Sequence, residues 1–301
     1  MTRGRFLKFG LAGAGTLVGG GATLYELVEH GVLPGKHTLD VITGACDLPR
    51  PPLHFSTPGP SYSKRFYSHA RNQAVGYTTA YPPGHAPGDR LPLVVMLHGE
   101  GGHHTSGVGG LAPAQALALQ VDGAPLGPMA IVTVDGGRGY WNPHPGDDPM
   151  GMVVNELIPL CRAVGLGLPP HKVGALGISM GGYGALLFAE KFPHLVRTVA
   201  AISPAVWTSY AQASGVNADA YASAAAFAAN DVVMHAGALA GIPVRVASGN
   251  DDPFHPGVTA LASVLPPGAI VELSAGCHSG AFFLEQTPPS LAFLSGHLTK
   301  S

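Results

Sequence analysis

The segment Gly177-Ile178-Ser179-Met180-Gly181 carries the clearest chemical signal in this chain. It fits the G-x-S-x-G pattern, in which a serine sits on a sharp turn between a strand and a helix. The apolar run Val173–Ile178 leads in as a strand, and the stretch from Gly182 to Ala189 leads out as a helix. Small flanking residues suit such a turn, because the serine is held in a strained backbone conformation with its neighbours packed close. The hydroxyl then stands above a sheet edge at a helix N-terminus, where the helix dipole favours developing negative charge.

A serine hydroxyl is a poor nucleophile at neutral pH and needs a base that is itself held by an acid. His278 is the predicted base. It lies in Gly276-Cys277-His278-Ser279-Gly280, a glycine-flanked loop between the last predicted strand and the C-terminal helix. His235 and His255 also follow Ser179 but match a strand-end position less well. The acid is expected after the strand Val244–Ser248, where Gly249-Asn250-Asp251-Asp252-Pro253-Phe254 offers two adjacent carboxylates. The G-x-x-D-P spacing favours Asp252 over Asp251, which is left as a solvated or capping group.

Acyl transfer also builds an oxyanion, which must meet two backbone donors. The N–H of Met180 is one expected donor. The other should come from Leu97-His98-Gly99-Glu100-Gly101-Gly102, with the amide of Glu100 favoured and that of Gly101 second. His98, His103 and His104 lack the H-E-x-x-H spacing of a zinc helix, so no metal is predicted. The chemistry requires no cofactor. Tyr140 and Trp141, in the segment Asp135–Trp141, either line a substrate pocket or serve packing. Asp147 and Asp148 read as a polar loop before the next helix.

The elements that must position these groups alternate along the chain. Strands are predicted at 75–81, 93–97, 130–134, 173–178, 199–203, 244–248 and 270–274. Helices are predicted at 113–121, 150–164, 180–191, 222–234, 257–265 and 281–298. Continuous apolar strands alternating with helices describe an α/β fold, a mostly parallel sheet buried on both faces. The stretch 204–241 reads either as a cap over the site or as an ordinary helix with an irregular approach. The segment 34–73 reads as a Pro/Gly/Ser-rich linker, with a first edge strand at its end, up to about Ser68, as the alternative, and 74–301 as the catalytic domain.

Of 301 residues 46% are hydrophobic and 11% charged, and the net charge is −2, with no run of Lys or Arg. That balance supports a large core and argues against nucleic acid, which demands a basic face. Cys46, Cys161 and Cys277 read as three buried thiols, with one bridge as the alternative in an exported protein. Near the N-terminus, Arg3, Arg5 and Lys8 precede an uncharged, weakly apolar stretch, Phe9–Tyr25. Residues 1–33 therefore read as an export signal or membrane anchor, placing the protein in the cell envelope, anchored or secreted. A Gly-rich cytosolic helix is the alternative.

Between about Ala74 and His297 the chain resembles the esterase D-like family, which includes secreted mycolyltransferases of bacterial cell envelopes. The resemblance rests on Leu97-His98-Gly99, Asp135–Trp141, Gly177–Gly181, Gly249–Phe254 and Gly276–Phe283. It implies an α/β-hydrolase fold, a triad of Ser179, Asp252 and His278, and an oxyanion hole from the amides of Glu100 and Met180. It further implies hydrolysis of short or aromatic acyl esters, or acyl transfer to sugar hydroxyls. The transferases usually carry a glutamate as the acid, so Asp252 favours hydrolysis. Three functions are thus expected in descending order: a serine esterase acting on a small-molecule or lipid ester, an acyltransferase with the same triad, and a non-catalytic envelope protein.

Overall fold

The computed structural model describes Cys46, Leu48, Pro49, residues 51–170 and residues 172–299. The predicted signal or anchor, 1–33, and the first part of the predicted linker lie outside these residues. The chain divides into a unit ending at Cys46 and a unit from Asp47 to Ser301, and every strand and helix described below lies in the second.

Eight strands form the main sheet: β1 (Ser61–Ser68), β2 (Gln73–Ala80), β3 (Leu93–Leu97), β4 (Ala130–Val134), β5 (Val173–Ile178), β6 (Val196–Ile202), β7 (Val244–Gly249) and β8 (Ile270–Ser274). Their spatial order is β8-β7-β6-β5-β3-β4-β2-β1. The run from β8 to β4 is parallel, and β2 and β1 close the other edge antiparallel. Eight helices surround it: α1 (Pro113–Leu117), α2 (Pro149–Met152), α3 (Ile158–Arg162), α4 (Met180–Lys191), α5 (Tyr210–Val216), α6 (Ala224–Ala229), α7 (His255–Val264) and α8 (Gly280–Leu298). A π turn, Val153–Leu157, joins α2 to α3. This is the mostly parallel sheet with flanking helices of an α/β-hydrolase.

Strands β3 and β4 are buried at every residue, which is why they read as unbroken apolar runs rather than as alternating ones. Successive side chains point to opposite faces. Leu93, Val95 and Leu97 join the core under α4, whereas Val94 and Met96 pack with Leu291 and Leu294 of α8 on the other face.

Residues 61–68, at the end of the predicted linker, form the edge strand held as the alternative there and pair with β2 over all eight positions. Three expectations need correction. The helix predicted at 113–121 stops at Leu117, because Leu119–Val121 folds back on Ala124–Pro125 in a two-residue hairpin. Its turn, Asp122-Gly123, takes positive φ at both positions (53° and 76°), the conformation that Asp-Gly favours. The helix predicted at 222–234 shortens to α6, and α5 appears unpredicted upstream of it. Of the cysteines, Cys161 is a buried free thiol, whereas Cys46 and Cys277 are disulfide-bonded, so the reading of three thiols fails. Among the described residues no helix is long and apolar enough to cross a membrane.

Candidate active site

Ser179 sits between β5 and α4 with φ 57° and ψ −123°, a backbone conformation costly for a residue with a Cβ. The surroundings over-determine it. Ser179 N–H donates to Ile202 O at 3.0 Å, and Ser179 O accepts from both Tyr183 N–H and Ala205 N–H. A Cβ at Gly177 would lie 1.9 Å from Gly181 O, and one at Gly181 would lie 1.9 Å from Leu97 O. Only glycine fits at either place, so the turn can be drawn tight against the neighbouring strand.

The loops after β7 and β8 deliver the other two groups. His278 Nε2 lies 2.8 Å from Ser179 Oγ, and His278 Nδ1 lies 2.8 Å from Asp252 Oδ2. The Asp252 side chain is fully buried, and its second oxygen accepts the Phe254 N–H at 2.8 Å. With Nδ1–H donated to the carboxylate, Nε2 is left as an acceptor facing the hydroxyl. Asp251 is partly exposed, and its backbone N–H donates to Gly276 O at 2.9 Å. The two loops close on each other at Gly249, where a Cβ would lie 2.1 Å from Gly276 O.

The loop after β3 approaches from the opposite side. A Cβ at Gly99 would lie 3.4 Å from the Ser179 Cβ. Its turn is closed by Gly102 N–H donating to Gly99 O at 3.0 Å, a bond that bypasses the amides of Glu100 and Gly101. Met180 is the first residue of α4, and such an amide has no partner within its helix. The Gly99–Gly102 turn and the first residue of α4 thus both lie next to Ser179.

His98 does not turn toward a metal. Its Nδ1 lies 2.8 Å from Gly99 O and its Nε2 accepts the Gly136 N–H at 2.9 Å. Burial pushes its pKa down and keeps the ring neutral. His104 Nδ1 lies 2.8 Å from Thr78 Oγ1. Among the described residues no three His, Cys, Asp or Glu gather as metal ligands.

Tyr140 and Trp141 take successive positive φ angles of 50° and 57° and part company. Tyr140 lines the cleft of about 500 Å³ over Ser179, and burial raises its phenol pKa. Trp141 does not line the cleft, and of its two readings, pocket or packing, it takes the second. It is fully buried, lies against Gly184 and Gly136, and donates its indole N–H to His98 O at 3.2 Å. Asp148 caps α2 through the Gly151 N–H, and Asp147 pairs with Arg71 at 2.6 Å.

Several features had no sequence signal. Phe254 and Phe283 flank the imidazole of His278, with ring centroids 5.2 and 5.1 Å away. The 204–241 stretch, read as either a cap or an ordinary helix, supplies Trp207 and Val216 to the cleft wall. The Glu100 carboxylate is held by Arg138 at 2.9 Å and by Asn217 at 3.4 Å, which ties the loop after β3 to the end of α5. A separate cavity of about 220 Å³, lined in part by Tyr62, Tyr77 and Cys161, lies away from Ser179. Burial pushes the Cys161 thiol up to about 12, which keeps it protonated and unreactive.

No curated protein sequence matches the chain. Its fold is similar to that of an S-formylglutathione hydrolase from Agrobacterium tumefaciens, with a TM-score of 0.63 at 18% identity over 83% of this chain and 100% of that one. It is also similar to a ferulic acid esterase, with a TM-score of 0.61 at 16% identity over 79% of this chain and 99% of the other. A feruloyl esterase module from Clostridium thermocellum follows, with a TM-score of 0.59 at 13% identity over 81% and 90%. The family model described as "Putative esterase" matches residues 68–264, well over half of the sequence, and the chain belongs to that esterase family.

Proposed function

We propose that the protein is a carboxylic-ester hydrolase in which Ser179, His278 and Asp252 act as nucleophile, base and acid. The observation that carries this reading is the unbroken relay from hydroxyl to imidazole to buried carboxylate, at 2.8 Å in each step. His278 Nε2 takes the hydroxyl proton as Ser179 Oγ attacks the ester carbonyl, and Asp252 holds the ring and stabilises the imidazolium. The amides of Met180 and Glu100 receive the oxyanion. Collapse of the tetrahedral intermediate breaks the bond to the alcohol, whose oxygen takes the proton from Nε2. Water then attacks the acyl-serine with His278 again as base, releasing the carboxylic acid and restoring Ser179.

Transfer of the acyl group to a sugar or lipid hydroxyl is the second reading. It is favoured by the wide mouth of the cleft, where Val216 is 73% exposed and a hydroxyl acceptor has room to enter. Export to the cell envelope, anchored or secreted, is proposed from Arg3, Arg5 and Lys8 ahead of Phe9–Tyr25.

The test is a panel of p-nitrophenyl esters of increasing acyl length, with and without an added sugar acceptor. Hydrolysis predicts free acid as the product at every acceptor concentration. Acyl-sugar accumulating at the expense of acid would replace the first reading with the second.

A further inference from the structure

We infer that the surface beyond Phe254 is a second subsite of the catalytic cleft, which takes the apolar far end of the leaving alcohol; this rests on the esterase reading. A cavity of about 280 Å³ lies there, lined in part by Val206, Gln212 and Pro256. It shares Trp207, Val216 and Phe254 with the cleft over Ser179. Trp207 and Phe254 form the ridge shared by the two spaces, meeting edge to face at 4.7 Å.

The direction of the reaction assigns the occupant. His278 Nε2 must hand its proton to the leaving oxygen, so the alcohol's first carbon lies beside the imidazole. Phe254 packs on that imidazole at 5.2 Å, and a chain leaving the oxygen over Phe254 runs directly onto the shared ridge. On the other flank the cleft is lined by Phe283 and Gly109, and the Gly109 backbone is backed by α8, where a Cβ would lie 2.7 Å from the Leu284 Cα. With the alcohol directed over Phe254, that bounded end of the cleft is left for the acyl group.

The lining sets the chemistry. No charged side chain contributes to the second cavity; its polar side chains are Thr208 and Gln212, which are bonded to each other, and the indole of Trp207. Val216 stands 73% exposed at its lip, apolar surface that a bound chain would cover. An uncharged alkyl or aryl arm fits such walls, and a charged one would lose its hydration without a partner.

Two ester series test this: acetates of methanol, butanol, octanol and benzyl alcohol, and ethyl esters of acids of the same lengths. With wild-type enzyme, kcat/KM should rise about tenfold or more from methyl to octyl acetate, as expected when methylenes enter an apolar pocket. The acyl series should flatten or fall beyond short chains. Gln212→Trp, which fills the second cavity from an exposed helix position, should erase the octyl-to-methyl preference. Val216→Asp should lower it independently. Labelling of Ser179 by a small fluorophosphonate reports in each variant that the site is intact. A preference that follows acyl length, or that survives in labelled Gln212→Trp and Val216→Asp, overturns the subsite. If no ester is turned over and the probe leaves Ser179 unlabelled, the esterase reading itself falls, and the subsite with it.

Discussion

A Cβ at Gly177 would sit 1.9 Å from the Gly181 carbonyl oxygen, whereas one at Gly215, at the end of α5, would meet nothing within 4 Å. Gly177 belongs to the turn that carries Ser179, and Gly215 to the stretch that supplies Trp207 and Val216 to the cleft. The elbow around Ser179 is packed backbone to backbone at Gly177, Gly181 and Gly249, with no side chain able to give way. In the second stretch, α6 has no buried residue and Val216 is mostly in solvent. What holds that stretch is a cluster of rings, with Tyr221 5.8 Å from Tyr140 and 5.0 Å from Phe227. The contrast separates two demands. Positioning a proton relay tolerates little displacement, while the wall that meets the substrate can change without disturbing the nucleophile.

The most severe test of the rigid wall removes the acid's charge while keeping its shape. Asp252→Asn should leave the near-ultraviolet circular dichroism unchanged and lower kcat by roughly 10⁴-fold, as in comparable triads. An equal loss from Asp251→Asn would move the acid one residue along. Next come the glycines. Gly177→Ala forces backbone against backbone and should lower the melting temperature or abolish soluble expression, since overpacking a tight site costs about 1–3 kcal/mol or more. Gly215→Ala should instead raise the melting temperature slightly, by the ~0.5–1 kcal/mol that alanine gains over glycine in a helix. Equal responses at the two positions would erase the contrast.

Glu190 lies near the far end of α4, 6% exposed, with neither carboxylate oxygen hydrogen-bonded. Burial raises its pKa from 4.5 to about 9, with Asp231 adding to the rise and Lys191 opposing it. Between those two values the native state holds a proton that the unfolded chain has released. The stability contributed by this group is therefore full below about 4.5 and is lost as pH rises toward 9. Glu190→Gln should flatten that decline and raise the melting temperature at pH 8, with kcat unchanged. A pH dependence of melting identical to wild type would show that Glu190 is ionised in the fold. The smallest effect is expected at Arg138, which is 63% exposed in its pair with Glu100. Arg138→Ala should change kcat/KM by only about a few-fold, in line with an exposed ion pair.

The parts of the molecule most legible in sequence are the strands buried on both sides. β3, β4 and β5 begin and end where their apolar runs do, and β8 keeps its predicted bounds although it is a partly exposed edge strand. β1 is legible only as an alternative ending of the linker, because seven of its eight residues are at least partly exposed, leaving no run or clean alternation to read. The 204–241 stretch misled in another way. Its alanine-rich run favours helix beyond residue 229, but the Asn230 side chain bonds back to Ala226 O at 2.8 Å and ends α6 there. In the site, residue type and strand-end position were enough to nominate Ser179, Asp252 and His278. They could not foresee Glu100 meeting Arg138 and Asn217, 38 and 117 residues away, because nothing local encodes that meeting. Nor could they separate Tyr140 from Trp141, since two successive left-handed residues send neighbouring rings in different directions.

The central claim is that Ser179 is an activated nucleophile rather than one buried hydroxyl among many. Intact-protein mass spectrometry after brief exposure to a fluorophosphonate tests it most directly. The account predicts one adduct per chain, mapped to Ser179, absent in Ser179→Ala and strongly slowed in His278→Ala. Folded wild-type protein that stays unmodified, or that carries its adduct on another residue, would contradict it.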